Sequence, residues 1–91
     1  ADSANKKAYY LSEQMNLFKD FELLYPTEGN EVFFKIKNKI YDQILKLNII
    51  PNLWSQVNDD ELVVRFVTSF ETQTSEIKEV LERLSSQFEK N

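Results

Sequence analysis

Residues Leu62 to Thr72, LVVRFVTSFET, contain the side chain whose type and setting most ask for chemistry. Leu62, Val64 and Phe66 alternate with Val63, Arg65 and Val67, the period of a strand, so Arg65 stands between two valines on one face. A guanidinium is permanently charged, and among apolar neighbours it needs an anion to answer it. Two answers are open. A neighbouring glutamate such as Glu31 or Glu61 would form a structural ion pair. The carboxylate of a small substrate, bound at the edge of the domain, would instead make Arg65 a binding residue. The strand closes with a hydroxyl-rich turn, Thr68, Ser69 and Thr72, where an amphipathic helix begins.

Few other residues offer chemistry. The chain has no cysteine and no histidine, so a disulfide framework, a thiolate site and the commonest general base and metal ligand are all excluded. Asp59 and Asp60 are adjacent in a turn and lack further spaced oxygen ligands, so they read as solvated turn residues; no metal site is expected. Gly29, the sole glycine, sits between strands, whereas a phosphate cradle needs several glycines ahead of a helix. The balance of 11 basic and 15 acidic residues gives −4, which argues against nucleic acid. At 91 residues, 42% hydrophobic and 13% aromatic, the chain is one small globular domain with a modest core. No apolar run approaches a membrane span and no signal-peptide pattern appears, so a soluble cytoplasmic protein without membrane contact is the expectation. The chain opens on Ala1 rather than methionine, as a trimmed or processed chain would.

The elements that must position Arg65 follow from periodicity. Residues 3 to 19 predict a helix with Ser3 as N-cap and Ala4, Ala8, Leu11, Met15 and Phe18 on its inner face. Phe21 to Tyr25 is a short strand stopped by Pro26 and Gly29, and Glu31 to Ile36 is the next strand. Asn38 to Leu47 predicts a second helix with Ile40, Ile44 and Leu47 inward, ended by Asn48 in the left-handed conformation. Leu53 to Val57 is a third strand, and Asn58, Asp59 and Asp60 turn it into the Arg65 strand. From Thr72 to about Glu89, the strongest periodic signal in the chain places Ile77, Val80, Leu81, Leu84 and Phe88 on one side of a helix.

The order αββαββα predicts an α+β domain, an antiparallel sheet covered on one face by helices. Val32, Phe34, Ile36, Leu53, Val57, Leu62, Val64 and Phe66 are expected to point at the helices. The opposite face would hold Phe33, Trp54, Val63 and Val67 around Arg65, too apolar for open water. A second chain, or the rest of a larger protein, is expected to cover it.

The segment YPTEGNEVFFKI, the helix after it, the Trp54 strand and VVRFVTSFET, in that order, resemble the C-terminal small domain of low-specificity L-threonine aldolases. These are fold type I pyridoxal-phosphate enzymes of the aromatic amino acid beta-eliminating lyase-like group. ANKKAYYLSEQM looks like the helix that leads into that domain, which makes residues 1–19 a lead-in helix and residues 20–91 the small domain proper. The most specific matches are Asn30, Glu31, Val32 and Phe33, then Trp54, then Arg65 with Thr68, Ser69 and Thr72; departures fall at Asn48, commonly glycine, and Phe70, often tryptophan. The resemblance implies that Arg65 binds the α-carboxylate of a β-hydroxy amino acid through two parallel hydrogen bonds. It also implies a parent enzyme, a homo-oligomer (a tetramer), that cleaves threonine to glycine and acetaldehyde with pyridoxal phosphate as electron sink. The cofactor-linking lysine, the acid at the pyridine nitrogen and the stacked histidine would belong to an absent large domain. This chain alone would then be inactive, with no catalytic or cofactor-binding residue of its own. Aminotransferases share the general architecture, so another pyridoxal reaction is compatible. The alternative from another class is a free-standing ferredoxin-like regulatory or interaction module that binds an amino acid or a partner subunit through the bare sheet face; the lack of a final strand counts against it.

Overall fold

The computed structural model describes residues 2–91. The chain runs α1 (Asp2–Met15), β1 (Glu22–Leu23), β2 (Glu31–Lys37), α2 (Asn38–Lys46), β3 (Asn52–Gln56), β4 (Glu61–Val67) and α3 (Thr74–Gln87). The four strands form one antiparallel sheet in the order β1-β2-β4-β3. This is the expected α+β layering, with α1 and α2 packed on β2 and α3 packed on α1.

The sheet is built around the β2–β4 ladder, in which seven residue pairs run from Glu31 opposite Val67 to Lys37 opposite Glu61. Alternation sends Val32, Phe34 and Ile36 from β2 and Leu62 and Val64 from β4 into the core under the helices. Phe66 packs at the margin of that core. Four phenylalanines hold the far end: Phe21 meets Phe18, Phe34 and Phe88 edge-to-face, with ring centroids 6.1, 6.0 and 5.4 Å away.

Several local expectations change. The helix α1 already includes Ser3, which is therefore not its N-cap. It ends at Met15 rather than residue 19, because the turn tightens to Leu17 N–H on the Gln14 carbonyl and Phe18 N–H on the Met15 carbonyl. The next residues are taken by the chain's other end: Phe18 bridges to Lys90, Lys19 N–H donates to Glu89 and Asn91 N–H donates to Leu17. Lys19 Nζ lies 3.0 Å from the Glu89 carboxylate, whose hydrogen bond and charge hold the ammonium pKa above its usual value. The helix α3 starts at Thr74 instead of Thr72, since Thr72 Oγ1 is occupied in accepting from Ser69 N–H.

The larger correction concerns Leu53 and Val57. Both were expected inside, yet Leu53 is 57% exposed and Val57 50%. The strand order is the reason: β3 lies at the edge, beyond β4, and the helices sit on β2. The sheet therefore overhangs its helical layer by one strand, and every residue of β3 is exposed.

Asn48 ends α2 as expected, with φ of 62°. Ile49 N–H donates to the Ile44 carbonyl and Asn48 N–H to that of Leu45, the paired bonds of a Schellman motif, and Ile49 and Ile44 share the core. Asn48→Ala should cost about 1 kcal/mol, because alanine has no side-chain bond to ease the left-handed backbone. The melting temperature followed by circular dichroism should then fall by about 4–8 °C, while Asn48→Gly should match or exceed the parent. Phe21→Ala should be far more severe, at about 3–5 kcal/mol. That is a large share of the total stability of a domain this size, and denaturant unfolding would read it directly.

Candidate functional site

Arg65 stands at the middle of β4 on the face turned away from the helices, directly opposite Phe33 of β2. On its other side β3 contains a register shift. Asn52 and Leu53 pair with Arg65 and Val64, whereas Ser55 and Gln56 pair with Val63 and Leu62, so Trp54 is an extra residue in a β-bulge. The indole lies under the guanidinium, with Arg65 Cζ 4.8 Å from the ring centroid. It also meets Phe33 edge-to-face at 5.3 Å, and Phe33 meets Tyr25 at 5.7 Å. Since Phe33 and Trp54 come from the strands on either side of β4, their rings meet over β4 itself. Val63, on that same face of β4, is only 5% exposed.

This corrects the expectation of a wholly bare face. Val63 is buried and Phe33 half-buried, roofed by side chains of the same sheet, while Trp54 and Val67 remain exposed at 55% and 47%.

The two glutamates considered as counter-ions part company. Glu31 reaches Arg65, with Oε2 3.4 Å from Nη1. Glu61 turns to Lys35, 4.0 Å away, which Glu22 also meets at 3.5 Å. Position explains the division: Glu31 is opposite Val67, one step along the face from Arg65, and Glu61 is at the far end of the strand. The Arg65–Glu31 contact is long for a charge-assisted bond, whose usual separation is about 2.7–2.9 Å. Its side chains are 26% and 41% exposed, which puts it among pairs worth roughly 0–1 kcal/mol. The guanidinium also keeps an unmet demand. Its Nε is buried and has no hydrogen-bond partner within the protein.

The hydroxyl cluster after β4 is structural. Thr68 is buried and donates to the Ala4 carbonyl at 2.6 Å, which ties the strand end to α1. Asn30, in the turn just before β2, brackets it: its carbonyl accepts from Thr68 N–H and its side-chain amide donates to the Thr68 carbonyl. Ser69 and Thr72 close a local turn. None of the three hydroxyls is brought to Arg65. Thr68 and Thr72 instead line a separate groove of about 240 Å³, with Leu11, Ile49, Phe66 and Ile77 among its other walls. Asp59 and Asp60 occupy the exposed β3–β4 hairpin, where Asn58 Oδ1 accepts from Asp60 and Glu61 N–H. Among the described residues no cluster of three or more potential metal-ligating side chains occurs, and no helix is long and apolar enough to cross a membrane.

No family model matches this chain, and no curated protein is significantly similar to it. Solved structures are. A threonine aldolase from Leishmania major superposes with a TM-score of 0.78 at 22% identity over 91% of this chain. The fold is threonine aldolase-like. This chain spans 24% of that protein's length, and at such identity the likeness concerns architecture alone.

Glu31 was named from the sequence as one possible counter-ion, but the role of Trp54 was missed, because a bulge has no signal in period-two alternation. The partial commitment of Arg65 to Glu31 can be measured. A double-mutant cycle over Arg65→Ala and Glu31→Ala should give a coupling no greater than about 1 kcal/mol. A coupling of about 3 kcal/mol would instead mark a fully committed pair.

Proposed function

We propose that this chain is the C-terminal small domain of a pyridoxal-phosphate-dependent lyase of threonine-aldolase type, and that Arg65 binds the carboxylate of its amino-acid substrate. The observation that carries the reading is the fold likeness, which takes in nearly all of this chain and only a quarter of the aldolase, as a small domain would. The unmet Nε of Arg65 supports the residue assignment. A guanidinium edge offers two parallel donors, and a carboxylate is the anion whose geometry takes both.

The residues present do not form a cofactor site. A lysine that carries pyridoxal phosphate must lose its proton to react, which favours a desolvated setting; among the described residues no lysine is buried, and Lys35, half-buried, is engaged by Glu22 and Glu61. The cofactor would be held by a large domain outside this sequence, and this chain's part is to bind and orient. That domain would sit against the exposed apolar residues near the site, Trp54, Val67 and Ile50 among them. In the cell the whole enzyme would be a cytoplasmic oligomer that cleaves threonine, or a related β-hydroxy amino acid, to glycine and an aldehyde.

Three measurements test this. The coding sequence before Ala1 should contain a large domain with a lysine-bearing strand. The 91-residue chain mixed with pyridoxal phosphate and reduced with borohydride should carry no label on one particular lysine; a single labelled lysine would overturn the fragment reading. In the whole enzyme, Arg65→Ala should lower kcat/KM about 10- to 150-fold, the loss of a hydrogen bond to a charged group, with Arg65→Lys between. Unchanged kinetics beside a lowered melting temperature would make Arg65 a structural residue only.

A further inference from the structure

Resting on the carboxylate reading of Arg65, we infer that Trp54 is a positioning residue for it: the bulged edge strand holds an indole against the guanidinium and fixes its plane for the ligand, with Nε left without a partner inside the protein. Four observations converge. Trp54 is the inserted residue of the β3 bulge, so the backbone departs from regular pairing at the one position that touches Arg65 from below. The indole is itself braced, edge-to-face against Phe33 at 5.3 Å, with Tyr25 behind Phe33. No helix covers β3, and Trp54 is half-exposed, so core packing does not account for its size. Finally, Glu31 touches only Nη1, and at 3.4 Å, so the ion pair cannot by itself fix the guanidinium plane.

The division of labour is physical. Arg65 has long side-chain torsions and would lose rotamer freedom on gripping a carboxylate. Contact with a ring face restrains the plane without using any N–H donor, because the attraction is between the cation and the ring quadrupole. Glu31 occupies one terminal nitrogen, and Nε is left without a partner. An aromatic platform therefore orients the fork while leaving donors free, which a second glutamate would not.

The test uses the 91-residue chain, Trp54→Phe, Trp54→Leu and Arg65→Lys, followed by proton–nitrogen NMR of the Arg65 Nε–H. Trp54 is exposed on an edge strand, so its variants should keep the parent's backbone spectrum outside β3 and β4. In the parent, the Arg65 side-chain protons should show the ring-current shift of a nearby indole, and Trp54→Leu should abolish it. Acetate, titrated against chloride at constant ionic strength, should move the Nε–H signal in the parent. Trp54→Leu should raise the midpoint by about 2- to 5-fold, the worth of an exposed cation–π contact, and Trp54→Phe should restore most of it. A responding Nε–H with the same midpoint in Trp54→Leu would overturn the role of Trp54 and leave the carboxylate reading intact. A parent Nε–H that ignores acetate would overturn the carboxylate reading, and the positioning role with it. In Arg65→Lys, which keeps the charge but not the fork, the acetate response of Trp54 fluorescence seen in the parent should weaken; an unchanged response would place the anion elsewhere and equally overturn the proposal.

Discussion

The β2–β4 ladder is the constraint on which the rest depends. Because side chains alternate along a strand, one register decides two faces at once. With Val32 opposite Phe66 and Phe34 opposite Val64, the inner face is continuous and apolar, and the helices close over it. The same register must then place Phe33 opposite Arg65, with Glu31 one step away. A slip of β4 by one residue would turn Arg65 inward and Leu62 and Val64 outward, which hydrophobic burial forbids by several kcal/mol. The core thus holds the site in place without touching it.

The outer strand is under weaker control. Nothing on the helical side pins β3, whose Leu53 is open to solvent. Its bulge is compatible with that freedom, since an irregularity in a central ladder would break bonds on both sides and at an edge breaks them on one. Pro51 just before the strand and the bulge within it also make the free edge a poor template for pairing with another chain. Fixed at its far end, the strand is held by Gln56, whose amide donates to the Asn58 and Glu61 carbonyls and to Asn38 Oδ1. The hairpin and the start of α2 are knitted together there, while the Trp54 end pairs with β4 through Asn52 and Leu53 and adds the indole's contacts with Arg65 and Phe33.

Arg65 shows why a cation on a sheet face need not be either fully paired or plainly solvated. Its guanidinium has three kinds of surface, and each meets something different: a ring on one face, a carboxylate at one end, and no protein partner at Nε. The first two are weak contacts by magnitude, each roughly 1 kcal/mol or less at this exposure. An arginine committed to structure would show shorter and more numerous bonds than these. The geometry is that of a group oriented but not consumed.

Much of this was legible in the chain itself. The order αββαββα, the antiparallel layer, the inward stripes of β2 and β4 and the left-handed Asn48 follow from local periodicity and backbone sterics, which act over a few residues and leave their mark in composition. Arg65 was conspicuous for the same reason, as a charge in an apolar alternation. What the chain alone left undecided depends on which strands are neighbours. Strand order placed β3 at the edge, which exposed Leu53 and Val57 although their pattern reads as inward. It also set Phe33 and Trp54 on either side of β4, where their rings meet, and left Val63 of the same face buried without any partner chain. Position along the ladder gave Arg65 to Glu31 and Lys35 to Glu61, a choice between equivalent residues that sequence spacing does not distinguish. Alternation reports which face a side chain takes, and only the tertiary structure decides what that face meets.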